Sequence, residues 1–307
     1  GDEEWPEQLE DLARCPITQG AGGPPVGLWV RGRPLARLVS VAVSIVGSRA
    51  ATRYGERVAE DLAAGLAEAG ICVVSGAAFG IDAAAHRGSL ALEGPTVAVL
   101  ACGVDEAYPR QNASLIEQVA RQGSLVSEYP PGEHPTRLRF LARNRLIAAL
   151  SEGTVLVEAA VRSGARNTVT WATGCGRPVM AVPGPVGNVT SFTPHRLIRE
   201  GEAVLVTSVD DIRELVCQLG TVESGRPRCE HLLDGLGAGE RTVYEALPAR
   251  GGRDIGALAL RAGVPVPACL VALGKLADAG LARRRADGQW GLGDVGDRPL
   301  LPLDADE

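Results

Sequence analysis

Ser44-Ile45-Val46-Gly47-Ser48-Arg49 is a short apolar run that breaks into a glycine turn, and an amphipathic stretch from Tyr54 to Ala69, stopped by Gly70, follows it. An apolar run of that length before a turn reads as a buried strand, and the apolar spacing behind it reads as a helix. The unit then repeats. Candidate strands are Ser44 to Gly47, Ile71 to Ser75, Thr96 to Ala101, Ser124 to Ser127, Thr154 to Glu158, Pro178 to Val182 and Ala203 to Val206, and helical stretches such as Asp82 to Glu93 separate them. Strand and helix in alternation predict an α/β fold built on a doubly wound parallel sheet.

In such sheets ligands sit beyond the carboxyl ends of the strands, where N–H groups of the following helix point outward. Four turns fall there: Gly47-Ser48-Arg49, Ser75-Gly76-Ala77-Ala78-Phe79-Gly80-Ile81-Asp82, Ala101-Cys102-Gly103-Val104-Asp105, and the segment after Glu158 that reaches Ser163-Gly164. Their small residues suit a backbone that approaches an anion. The first turn lacks G-x-G-x-x-G and the second strand ends in Ser75 rather than an acid, which argues against a nicotinamide cofactor. No G-x-x-x-x-G-K-[ST] occurs, so the chain is not a P-loop ATPase. Asp82 and His86, four apart on a helix, could form an acid–base dyad. The preferred reading has Asp82 capping that helix and His86 buttressing the cleft. Glu158 could act as a base, but a carboxylate at a strand end more often accepts from loop N–H groups or an arginine.

The densest cationic stretch is Arg137-Leu138-Arg139-Phe140-Leu141-Ala142-Arg143-Asn144-Arg145. Guanidinium forks match phosphate oxygens, and a ring beside them offers a face to an unstacked base. Arg49, Arg143 and Arg145 are read as phosphate contacts and Phe140 as a stacking ring, with core packing an equal reading for Phe140.

The net charge of −6 over 307 residues at first opposes a nucleic-acid partner. The acids are concentrated at the ends, however: residues 1 to 11 carry −6 and residues 294 to 307 carry −4, which leaves the body at +4. Of 31 basic residues only Lys275 is lysine, a skew that fits a GC-rich coding bias. Seven cysteines are scattered singly, which fits reduced core residues better than disulfides or a zinc site, and Cys229 with His231 lacks a second ligand pair nearby. No metal or cofactor is expected. No apolar run approaches a membrane span and no leader pattern is visible, so a cytoplasmic location is expected. The chain begins with Gly1 rather than Met, as a segment of a longer protein would.

The expected organisation is a lead-in segment (1–40), the sheet domain (41–218), a linker rich in glycine and charge (219–235), a helical domain (236–293) and an acidic tail (294–307). Within 236–293, helices are expected at Glu240 to Leu247, Asp254 to Arg261 and Pro267 to Ala279. A hairpin then turns at Asp287-Gly288. Three helices and a hairpin suggest a winged helix, but a third helix whose single base is Lys275 makes a poor major-groove reader. Protein contact, or weak backbone binding through Arg283, Arg284 and Arg285, fits at least as well.

At this point the motifs resemble a known family. Ile45-Val46-Gly47-Ser48-Arg49 with Tyr54-Gly55, Ser75-Gly76 with Gly80-Ile81-Asp82 and Ala85-His86, and Tyr108-Pro109 with Asn112 occur in the order of the DNA-processing protein A (DprA, also called Smf) family. Ser127-Glu128-Tyr129-Pro130, Arg143-Asn144-Arg145-Leu146-Ile147-Ala148, Glu158-Ala159 and Val182-Pro183-Gly184 continue the resemblance, which covers roughly residues 5 to 215. It implies an extended Rossmann-like domain with a C-terminal winged helix. It also implies binding of single-stranded DNA, a homodimer, loading of the recombinase RecA onto incoming strands during natural transformation, and no enzymatic activity. The family's DNA pocket maps to Gly47, Ser48 and Arg49, to Arg137 or Arg139 ahead of Phe140, to Arg143, Asn144 and Arg145, and to Ser163 and Gly164. Leu141 stands where the family usually has proline, Ala165-Arg166-Asn167-Thr168 departs from its usual turn, and Thr193-Pro194-His195-Arg196 replaces its usual segment before Leu197-Ile198.

The alternative is a nucleotide-processing enzyme of the related phosphoribohydrolase (LOG-like) type. That group carries P-G-G-x-G-T-x-x-E, whereas Pro183-Gly184-Pro185-Val186-Gly187-Asn188 lacks the second glycine in place and the glutamate. A winged-helix regulator with a ligand-sensing sheet domain is a third reading, and preference for duplex DNA would mark it.

Overall fold

The computed structural model describes residues 4–15, 22–161, 163–216, 236–248, 251–285 and 287–293. The expected linker, the acidic tail and the pair Cys229 and His231 lie outside these residues. The chain divides into two compact units, residues 1–224 and 225–307.

The first unit is a single eight-stranded sheet. Its strands are β1 (Trp29–Gly32), β2 (Ala42–Val46), β3 (Cys72–Ser75), β4 (Thr96–Val99), β5 (Ser124–Ser127), β6 (Gly153–Leu156), β7 (Val179–Ala181) and β8 (Val204–Leu205), in the spatial order β1-β5-β4-β3-β2-β6-β7-β8. All neighbours are parallel except β1, which runs antiparallel to β5. The five strands from β2 to β6 are buried along their whole length, as apolar runs covered by helices on both faces should be. Helices α1 (Leu35–Leu38), α2 (Arg53–Glu68), α3 (Ile81–Ala91), α4 (Ala113–Gln122), α5 (Arg137–Ala149), α6 (Ala165–Gly174), α7 (Phe192–Glu200) and α8 (Val209–Val216) make the connections.

The strand order reverses between β2 and β6. Chain leaving β2 turns toward β3, β4 and β5, while chain leaving β6 turns toward β7 and β8, so a crevice opens between the two carboxyl ends. Glu158 fastens the turns on either side of it. Its carboxylate accepts from the Thr52 N–H at 2.9 Å and from the Thr52 hydroxyl at 2.6 Å, and its carbonyl accepts from the Ser48 N–H at 2.7 Å. Glu158 is therefore a structural clamp on loop donors.

The segment read as a lead-in is part of this architecture. β1 extends the sheet, and a 3-10 helix at Glu7–Arg14 buries Leu9 and Leu12 completely in the core beside Val169 and Trp171. Cys15 Sγ lies 3.2 Å from Cys175 Sγ just past the end of α6, and the described cysteines are all free thiols.

In the second unit α9 (Ala238–Ala246), α10 (Ile255–Ala262) and α11 (Val266–Asp278) precede an antiparallel hairpin of β9 (Ala282–Arg284) and β10 (Trp290–Leu292). Asp254 caps α10 by accepting from the Ala257 N–H, and Leu258, Cys269, Leu273 and Leu276 form its core. Lys275 is spent on an ion pair with Glu240 at 2.5 Å. No single described helix is long and apolar enough to cross a membrane.

Candidate nucleic-acid interface

A cleft of about 1140 Å³ occupies the switch point between β2 and β6. One wall is the turn Gly47–Ala50 after β2. A second is the N-terminal half of α5, and a third is the turn that carries Ser163 and Gly164 into α6. Nine of the eleven residues expected in the pocket line it: Gly47, Ser48, Arg49, Arg137, Phe140, Arg143, Asn144, Ser163 and Gly164.

Helix α5 explains which arginines arrive. Thr136 caps it by accepting from the Arg139 N–H, and Arg137, Phe140, Leu141 and Asn144 follow at a spacing that keeps them on one face. Arg139, two residues beyond Arg137, lies about 200° round the helix. It is not a cleft residue: it pairs with Glu133 at 2.6 Å, donates to the His134 carbonyl at 2.7 Å and stacks on Tyr129 at 4.6 Å. Arg145 is not one either. Buried, it pairs with Glu128 at 2.6 Å and donates to the carbonyls of Gly23 and Ala142, so each nitrogen of its fork has a partner, and it is not among the residues that line the crevice. The expectation of a phosphate contact at Arg145 is therefore corrected to a structural brace.

Arg143 lines the cleft from below. Only 3% exposed, it donates from Nη1 to the Val99 carbonyl at 2.9 Å and leaves Nε without a partner. Burial, reinforced by the Arg49 charge and opposed by Asp82, draws its pKa down to about 10, so it remains a cation at neutral pH. The Gly76 backbone is pressed against this guanidinium, and a Cβ at residue 76 would fall 1.7 Å from Nη1. Asp82, buried beside it, accepts from the backbone N–H groups of Ala78 and Gly76. It therefore caps that turn rather than its own helix, whose N-cap is Gly80. Desolvation holds the Asp82 carboxyl above the usual range against the pull of Arg143 and those N–H groups.

Phe140 is half-buried and belongs to none of the apolar core clusters, which favours the stacking reading over core packing. Arg49 lies over its ring at 4.8 Å, Arg143 stands 5.9 Å from its centroid, and Tyr108 packs beside it at 5.7 Å. Arg49 and Arg137 are exposed, and neither has a carboxylate within 4.0 Å among the described residues. Asn144 donates to Asn167 Oδ1 at 3.2 Å, tying α5 to the first turn of α6. The Ser163 hydroxyl accepts from the Ala165 N–H at the start of the same helix.

Sequence reasoning missed Thr136, Tyr108, Asn167 and Thr170, all of which line the cleft. Asn167 and Thr170 lie three apart on α6, the only linear hint that they share a face.

His86 does not pair with Asp82. Its Nδ1 is 2.8 Å from the Thr96 hydroxyl, and burial lowers its pKa to about 3. Between that value and the ordinary 6.5 an unfolded chain takes up a proton that the native one refuses, so stability should fall as pH drops through this window, by up to about 1.4 kcal/mol per pH unit. Urea unfolding of wild type and His86→Gln at pH 5 and pH 7 checks this: the variant should lose that share of the pH dependence. Among the described residues no group of three His, Cys, Asp or Glu side chains is placed to hold a metal ion.

Comparison with known proteins agrees with the resemblance noted in the sequence. The family description "DNA recombination-mediator protein A" matches residues 1–217. A Mycobacterium tuberculosis protein described as a DNA processing protein DprA is 48% identical over 299 residues, covering 94% of this chain and 75% of that one. The Escherichia coli protein Smf is 44% identical over 191 residues, covering 62% of this chain and 50% of its own length. Among solved structures, DprA from Streptococcus pneumoniae superposes with a TM-score of 0.62 at 38% identity, covering 69% of this chain and 71% of that one. DNA processing protein A from Helicobacter pylori, solved for its single-stranded DNA binding mode, gives 0.61 at 27% identity over 69% and 93%. The sheet, its switch-point cleft and these matches together mean that the chain belongs to the DNA recombination-mediator protein A family.

Proposed function

We propose that this chain binds single-stranded DNA in the switch-point cleft and, as a cytoplasmic homodimer, presents it to the recombinase RecA during natural transformation. The observation that carries the binding step is that Arg49 and Arg137, both exposed and without a carboxylate within 4.0 Å among the described residues, line one cleft with the Phe140 ring, over which Arg49 lies. Two cations with no carboxylate beside them and a half-buried ring in the same cleft suit a phosphate backbone with an unstacked base. The Helicobacter pylori relative, whose structure addresses single-stranded DNA binding, supports the same reading. No catalytic step is assigned: Asp82 is held by backbone donors, His86 by Thr96 and Glu158 by Thr52.

Affinity for single strands should fall with salt by about 0.7 log units per log unit of salt for each phosphate neutralised. Arg49→Ala and Arg137→Ala should each weaken binding to all sequences alike and lower that slope by about one such contact, measured by oligonucleotide titration across a salt series. Unchanged affinity and slope in both variants would remove this site. Duplex preferred over single strand at equal length would point to the regulator instead.

A further inference from the structure

The loops that follow β2, β3 and β4 converge just outside the cleft, and one aromatic side chain stands among them with no role yet. Gly80 has φ +70° and packs against the β2 turn so closely that a Cβ there would lie 2.3 Å from the Ser48 carbonyl oxygen, while the Ile81 N–H donates to that same oxygen. From the other side the Asn112 amide donates to the carbonyls of Ala77 and Ala78 at 3.0 and 3.3 Å. The loop between them is thus pinned on both flanks. It carries Phe79, which is 41% exposed, belongs to no apolar cluster, and adjoins Ala78, a residue of the cleft wall.

Exposed arginines without a carboxylate partner are found on these segments, as they are at Arg33 and Arg37 elsewhere in the unit. Arg57, Arg87 and Arg31, on the surface of this unit, are each matched to a carboxylate. Arg53, the first residue of α2, and Arg110, on the Pro109–Asn112 turn, are exposed and have none within 4.0 Å among the described residues. The acids of the neighbouring loop are engaged elsewhere: Asp105 accepts from the Gly132 N–H and Glu106 pairs with His134. A held, exposed ring on one loop, with cations that have no carboxylate partner on the segments that follow the neighbouring strands, suits a ligand that repeats a flat π-face and an anion, as an unpaired polynucleotide does.

We propose that Phe79, with Arg110 and Arg53, forms a second nucleotide subsite outside the cleft, so that one single strand runs from Phe140 across the loops after β2, β3 and β4. Phe79 stacks a base there and the two arginines hold the adjoining phosphates. This rests on the reading of the cleft given above, and the test separates the two.

The full chain is titrated with oligothymidylates from about 4 to about 16 nucleotides, the span of common single-strand site sizes. Phe79→Ala and Arg110→Ala should bind the shortest oligomer as wild type does, yet lose on the order of 10-fold at the longest. On long strands Arg110→Ala should also lower the salt slope by about 0.7. Phe79→Tyr should keep wild-type affinity, and Arg49→Ala should weaken every length. If Phe79→Ala and Arg110→Ala match wild type at every length while Arg49→Ala does not, the subsite is refuted and the cleft stands. A uniform loss at all lengths in the Phe79 and Arg110 variants also refutes a separate subsite. If Arg49→Ala binds normally as well, the cleft reading fails and takes the subsite with it. Arg110 is a surface residue, so its variant tests the proposal even if Phe79→Ala folds poorly.

Discussion

Arg143→Ala should destabilise the sheet unit by about 3–5 kcal/mol, well beyond the loss of a surface arginine. The substitution removes a donor to the Val99 carbonyl, vacates the space that Gly76 is shaped to leave, and strips a buried Asp82 of the cation that most offsets its desolvation. The first and last of these strand a polar group away from water, where an unmet donor or acceptor costs more than a made bond returns, and the second leaves a void. Calorimetry or urea unfolding of wild type, Arg143→Ala and Gly76→Ala measures it, because a methyl at residue 76 would crowd the same guanidinium. Both variants should unfold early, whereas Arg49→Ala should keep the wild-type midpoint. A wild-type midpoint in Arg143→Ala would show that its guanidinium is a binding group without a structural task. Any loss of DNA binding in this variant has to be read against its stability, which is why Arg49 and Arg137 are the cleaner probes of the cleft.

Phe140→Ala should weaken single-strand binding by about 1–3 kcal/mol, the usual worth of a base stacked on an aromatic ring. Because the ring lies outside the apolar core, the thermal midpoint should move much less than the affinity. Arg49 rests on that ring, so the two substitutions should not be additive. A double-mutant cycle read by fluorescence anisotropy should return a coupling of about 0.5–1 kcal/mol, the range of an exposed cation–π contact. Strict additivity would mean that the 4.8 Å stacking of Arg49 plays no part in the bound state. A collapse of folding cooperativity in Phe140→Ala would return the ring to the core.

The parallel sheet was legible because its strands from β2 to β7 are short, largely apolar runs buried along their whole length, and burial on both faces demands such runs. The edge strand β1 was not, since Trp29, Val30, Arg31 and Gly32 are all exposed and follow no alternation. Leu9 and Leu12 were hidden in an acidic stretch whose charges face solvent while its two leucines do not. In the cleft, Gly47, Ser48 and Arg49 could be read from their place at a strand end. The arginine string of α5 could not be sorted, because linear density treats four guanidinium groups alike while the helix sends them to different faces. Glu128 is 17 positions from Arg145 and Gly23 is 122 away, separations at which no local pattern signals a partner. A motif marks which residues matter to a fold or a site without saying which of the two they serve.

Glu158 bolts the two lips of the crevice together, one through the Thr52 and Ser48 bonds and the other through its own strand. Widening the slot would mean breaking three hydrogen bonds at once, two of them to the Glu158 side chain, so its breadth is set before any polymer arrives. Most of the entropy lost on association then falls on the polymer that is captured, since the slot itself has little left to lose.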